Sequence, residues 1–207
     1  MTMFWQRWAV NISCWVPDQK EFKYLFELLP VNAQAEGDFV VLAAEPLCIC
    51  GIDVAASPQA RQSQIQSISD IKKTFRKQLT SAEAFVKARG DGLGFDLGRV
   101  EFEPVPSSGS QMQSVTARVD GKALHRWRFC VHVMGDHVVA VALGPPEDVI
   151  DAWGGFRATL AKPELTDDEI QAALHTPRPA FSLLSISDII PVSARDGYAE
   201  AGGDVLT

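Results

Sequence analysis

Residues 112–143, MQSVTARVDGKALHRWRFCVHVMGDHVVAVAL, decide the fold reading. Three strand-like runs, Met112–Val119, Leu124–Met134 and His137–Leu143, are separated by Asp120-Gly121 and Gly135-Asp136. Gly beside Asp supplies the positive φ that tight hairpin turns need, so the spacing predicts an antiparallel meander. Pro145-Pro146-Glu147-Asp148 then opens a predicted helix over 146–160, with Val149, Trp153, Phe156 and Leu160 as its apolar stripe.

Upstream of the meander, Trp8–Val16 alternates and reads as a strand, and Phe22, Leu25, Phe26 and Leu29 follow helical spacing. Asn32–Gly37 reads as a turn. Phe39–Ala44 and Leu47–Val54 read as a strand pair with its corner at Glu45-Pro46. Ile68, Ile71, Phe75, Leu79, Ala82 and Val86 step by three or four and predict a long helix, stopped by Gly90. Leu93–Val105 reads as one more strand. The expected core is Trp127, Phe129, Val131, Val133, Ile71, Phe75, Leu79, Trp153 and Phe156.

Downstream, Thr166-Asp167-Asp168-Glu169 is a capping box for a short helix to His175. Phe181–Val192 is too apolar to stay in water as a disordered segment. The expected organisation is an α+β domain over 1–165, a twisted antiparallel sheet covered by helices, with an appendage over 166–207.

Composition narrows function by exclusion. The 207 residues carry a net charge of −7 and no basic cluster, which argues against nucleic acid as a partner. No apolar stretch approaches the roughly 20 residues of a membrane span. The N-terminus has no basic leader, so the expected compartment is the cytoplasm, with Cys14, Cys48, Cys50 and Cys130 reduced.

The chemistry-bearing residues are few. Cys48-x-Cys50 and Cys130-x-His132 would make a Cys3His zinc set if their strands were neighbours, but a flat Cys-x-Cys strand turns its thiolates poorly toward one tetrahedral ion. Cys130 and His132 lie about 7 Å apart along a strand, beyond hydrogen bonding. Gly92-x-Gly94-x3-Gly98 follows a helix and lacks a phosphate-loop Lys. The expectation is therefore no catalytic residue, no metal and no cofactor. Arg126, Arg128, Cys130, His132 and Met134 share one strand face. With Phe181 and Leu184 of the appendage, Arg126, Arg128, His132 and Met134 are the candidate partner-binding residues.

The element order resembles the PsbP/DcrB-like α/β/α sandwich. The residues that carry the resemblance are Asn11–Pro17, Ser67–Phe85, Gly121 to Val139 with Trp127-Arg128-Phe129-Cys130, and Pro146–Leu160. Asp18-Gln19 departs from the Gly-Trp found after the first strand in such sequences. The resemblance implies a binding protein with no catalytic residues to carry over. The functional expectation is a non-enzymatic adaptor or chaperone for a protein partner, with homodimerisation allowed. The alternative is a Cys/His-dependent enzyme or zinc protein using Cys130, His132, Cys48 and Cys50.

Overall fold

The computed structural model describes residues 7–12, 31–36, 39–45, 47–56, 66–106, 112–135, 137–151, 156–157, 160, 162–176, 181–184 and 192–200. Its strands are β1 Arg7–Ile12, β2 Val31–Glu36, β3 Phe39–Ala44, β4 Ile49–Ala56, β5 Val100–Pro104, β6 Met112–Val119, β7 Lys122–Ala123, β8 Arg128–Met134, β9 His137–Gly144 and β10 Ser182–Leu184. Its α-helices are α1 Gln66–Arg89, α2 Asp167–His175 and α3 Arg195–Glu200.

Two sheets result. One is six-stranded, in the order β4-β9-β8-β6-β5 with the short β7 paired to β6. All its pairings are antiparallel. The meander forms as its turn residues dictate: Asp120 and Gly121 take φ of 50° and 75°, and Gly135 takes 56°. The other sheet runs β10-β1-β3-β2, with β1 parallel to β3. The class is thus α+β, an antiparallel sheet packed against helices.

The six-stranded sheet is covered on both faces. α1 packs on one, where Phe85 meets Trp127 and Phe129 at ring separations of 4.8 and 6.0 Å. On the other, Val41 and Ala43 of β3 and Ile170, Ala173 and Leu174 of α2 close over Cys50, Ile52, Val54, Val139 and Val141. This double cover explains why all eight residues of β9 are buried and why the strand reads as an unbroken apolar run.

Several elements differ from the sequence expectation. Residues 31–36 form β2, paired with β3 across residues 37 and 38. The alternation Val31-Asn32-Ala33-Gln34-Ala35-Glu36 is a clean period of two, and it outweighs the turn preference of Asn32. β3 and β4 are not a pair: β3 joins β2 and β1, whereas β4 joins β9. Of 93–105, only Val100–Pro104 is strand, preceded by 3-10 turns at Gly92–Gly94 and Leu97–Arg99.

The helix expected over 146–160 opens instead with a 3-10 turn at Pro146–Asp148, and residues 149–151 are non-helical; 152–155, 158 and 159 lie outside the described residues. Trp127 Nε1 donates to Asp148 Oδ2 at 2.8 Å, and Ile150 N donates to Arg89 O at 2.7 Å, which lays the segment across the end of α1. Phe156, Leu79 and Val133, expected in the core, are 42%, 39% and 49% exposed. Ile71, Phe75 and Trp153, and the helix expected near Phe22–Leu29, lie outside the described side chains and residues. α1 instead buries Thr80, Ser81, Ala82, Ala84, Phe85, Val86 and Ala88, most of them small, and so sits close to the sheet.

Candidate active site at the crossing of β4 and α1

β4 reads ICGIDVAA, with one acid inside an otherwise apolar strand. Alternation places Ile49, Gly51, Asp53 and Ala55 on the face that meets α1. At Gly51 the approach is extreme: a Cβ there would sit 2.0 Å from Ala84 O and 2.4 Å from Ala88 N. Only glycine allows a strand backbone to touch a helix backbone so closely. The contact brings Asp53, two residues on, beside the last turns of α1.

Those turns carry Glu83 and Lys87, four residues apart and hence on one helix face. Lys87 Nζ lies 2.6 Å from Asp53 Oδ1, with the Asp53 side chain 4% exposed and that of Lys87 27% exposed. Burial pushes the Asp53 carboxyl up to about 6, from an ordinary 3.8. The hydrogen bond and charge of Lys87 pull it down, and the charge and hydrogen bond of Glu83 push it up again. Two carboxylates and one ammonium therefore meet at a largely dry crossing. That composition suits the binding of a cation or of a phosphate-bearing ligand far better than it suits stability, since buried charge is costly to keep.

The helix end is locked next to this cluster. Gly90 ends α1 at φ +79°, and Arg89 pairs with Asp91 at 3.1 Å while lying 5.1 Å over the Phe85 ring. Burial raises the Asp91 carboxyl and the Arg89 charge opposes it. A separate groove of about 600 Å3 is lined by Glu101, Glu103, Thr116, Arg118, His125 and His175 among others, and contains none of Asp53, Glu83 or Lys87.

The residues singled out in the sequence lie elsewhere. Arg126 is held by Glu147 at 2.6 Å, Asp167 at 3.2 Å and the Leu165 carbonyl at 2.8 Å. Arg128 donates to the carbonyls of Leu174 and Thr176 at the end of α2. His132 is buried with its ring 5.3 Å from that of Phe181, and Met134 and Phe181 both pack on the cluster beneath α2. Leu184 pairs with Trp8 at the β1 edge. The chain's own C-terminal elements thus engage this row.

Cys48, Cys50 and Cys130 are buried, and Cys50 Sγ donates to Ala43 O at 3.5 Å. β9 lies between β4 and β8, so the two cysteine strands stand about 9–10 Å apart, two strand spacings. Among the described residues no three His, Cys, Asp or Glu side chains group as a metal site.

No family model matches the chain. It is 30% identical over 142 residues to the L-aminoadipate-semialdehyde dehydrogenase-phosphopantetheinyl transferases of Homo sapiens and Rattus norvegicus, a match covering 56% of this chain and 46% of each relative. The Xenopus laevis protein of that name is 30% identical over 138 residues, covering 55% of this chain and 46% of its own. The chain spans about half the length of the curated relatives it matches. These similarities overturn the PsbP/DcrB-like resemblance, which rested on element order alone. They also correct the non-enzymatic adaptor or chaperone reading, because the relatives bear the name of a group-transfer enzyme. The enzyme alternative comes nearer, but not in its Cys/His or zinc form. Among the described residues no helix is long and apolar enough to cross a membrane.

Proposed function

We propose that this chain takes part in phosphopantetheinyl transfer, with Asp53, Glu83 and Lys87 as its reaction centre. The observation that carries this reading is the buried meeting of those three side chains, set beside the name shared by the relatives. Coenzyme A is the chemically apt donor, since it bears a phosphopantetheinyl group on a phosphoanhydride. An acceptor hydroxyl oxygen forms a bond to the phosphorus that carries pantetheine. The bond from that phosphorus to the bridging oxygen breaks, the nucleotide leaves with that oxygen and its electron pair, and the hydroxyl proton passes to a nearby carboxylate or to solvent.

Such a transfer asks a protein for positioning and charge neutralisation more than for covalent chemistry. Lys87 supplies one positive charge on a flexible stem. Asp53 and Glu83 are hard oxygen donors of the kind that hold magnesium together with substrate phosphates, so the donor set fits that ion and not zinc. When bound, the ion would neutralise charge building on the phosphoanhydride. Asp53 is fixed by the strand, and Glu83 is held in register with it by the Gly51 contact.

The test is transfer itself. The chain is incubated with coenzyme A, magnesium and an unmodified carrier-protein domain, and the acceptor's mass is followed. A mass gain of one phosphopantetheinyl group, lost in Asp53→Asn and Glu83→Gln, supports the proposal. An unmodified acceptor with the native chain refutes it.

A further inference from the structure

We infer that Lys87 changes partner in the working cycle: its ammonium holds the cation position on Asp53 until a divalent ion and the phosphate-bearing donor displace it together. The inference rests on the functional reading above and adds an order of events to it. Its starting point is the 2.6 Å contact between Lys87 Nζ and Asp53 Oδ1. A carboxylate that is 4% exposed on an apolar strand needs a compensating positive charge, and here the protein supplies that charge itself. A divalent ion bonded to the same carboxylate would stand within a few ångströms of the ammonium, and the two like charges would repel with little water between them.

One of the two groups must yield, and the structure distinguishes them. Asp53 sits on a strand hydrogen-bonded to β9, with its neighbour Gly51 jammed against α1. Lys87 sits in the last turn of α1, is 27% exposed and has a four-carbon stem. Lys87 is therefore the group that moves. The donor's phosphates give it a new acceptor, so ion entry and donor entry favour each other. Lys87 then serves first as a resident substitute for the ion and afterwards as a phosphate contact.

The experiment measures manganese binding by the full chain, by paramagnetic resonance, with and without coenzyme A. Wild type should bind manganese weakly alone and about tenfold more tightly with the donor. Lys87→Met, with no ammonium to displace, should bind manganese alone about tenfold more tightly than wild type and lose the donor's enhancement. Lys87→Gln serves as the second variant, and Asp53→Asn should abolish binding in every background. Manganese affinity in Lys87→Met and Lys87→Gln equal to or below that of wild type overturns the inference, as does manganese binding that ignores Asp53→Asn. Failure of phosphopantetheinyl transfer with ion competition intact would instead sink the functional reading alone.

Discussion

Among the described residues, two carboxylate–lysine pairs are alike in their paired groups and opposite in behaviour. Asp53 with Lys87 lies at the β4–α1 crossing, and burial holds its carboxyl up at about 6. Glu169 with Lys162 lies at the start of α2, in water. The Lys162 hydrogen bond, helped by the Thr166 backbone and hydroxyl, holds that carboxyl down at about 2. The second pair completes a capping box in which Thr166 N donates to Glu169 Oε2 at 3.0 Å, and it serves the fold. The first carries a burial cost at neutral pH, and the reaction centre proposed above is a reason to keep it. The lesson is that an ion pair says little until the water around each partner is known.

The largest effect should come from the contact that creates the buried pair. In Gly51→Ala the new Cβ meets backbone rather than a yielding side chain, so β4 and α1 must separate. The expected loss is about 3 kcal/mol, near the upper end for overpacking. For a chain of this length that is a fall of roughly 6–12 °C in melting temperature. A variant melting within a degree or two of wild type would break the geometry on which the comparison stands.

Removing the buried charge should act in the other direction. The folded-state value of Asp53 lies above its unfolded value of 3.8, so its share of stability is present below 3.8 and lost as pH rises through about 6. At pH 7.5 the ionised group therefore holds stability down. Asp53→Asn should raise the melting temperature by roughly 2–4 °C there, and the gain should vanish below pH 4. A lowered melting temperature at pH 7.5 would mean that pairing with Lys87 outweighs burial.

The cap should respond more modestly. Thr166→Ala removes the hydroxyl that accepts from Glu169 N, at a cost of about 1 kcal/mol. A calorimetric scan should show this as a lower melting temperature. Smallest of all is the acid limb of Glu169. Its folded value is lowered, so its stability is present above about 4.5 and lost as pH falls through about 2. Glu169→Gln should flatten that limb and leave stability at pH 7 close to wild type; an unchanged limb would assign the acid sensitivity elsewhere.

Much of the frame was legible in the chain. The meander followed from its Asp-Gly and Gly-Asp turns, α1 from its spacing and Gly90, and α2 from Thr166 and Glu169. The site was in view but misweighed. An acid inside ICGIDVAA, two residues after a glycine, is a buried charge beside a close backbone approach, but the Cys48-x-Cys50 spacing is the more conspicuous local pattern. Linking Asp53 to Glu83 and Lys87 needs the knowledge that α1 crosses β4. No local pattern carries that, because the strand order β4-β9-β8 joins residues far apart in the chain. The start of the helix expected over 146–160 differs for a related reason: the bonds from Trp127 to Asp148 and from Ile150 to Arg89 tie residues 148–150 to Trp127 and the end of α1.

The pairing of β10 with β1 has a bearing on how the chain is made. Trp8, Ala9 and Val10 are matched by Leu184, Leu183 and Ser182, so one side of β1 waits for a partner that leaves the ribosome last among the described strands. At translation speeds of about 5–20 residues per second, that side stays open for roughly 10–30 seconds. An open strand edge is a template for stray pairing during that interval. The four-stranded sheet therefore closes after the six-stranded one has all its described strands, and a nascent chain halted before residue 182 would carry the Asp53–Glu83–Lys87 cluster with that side of β1 unpaired.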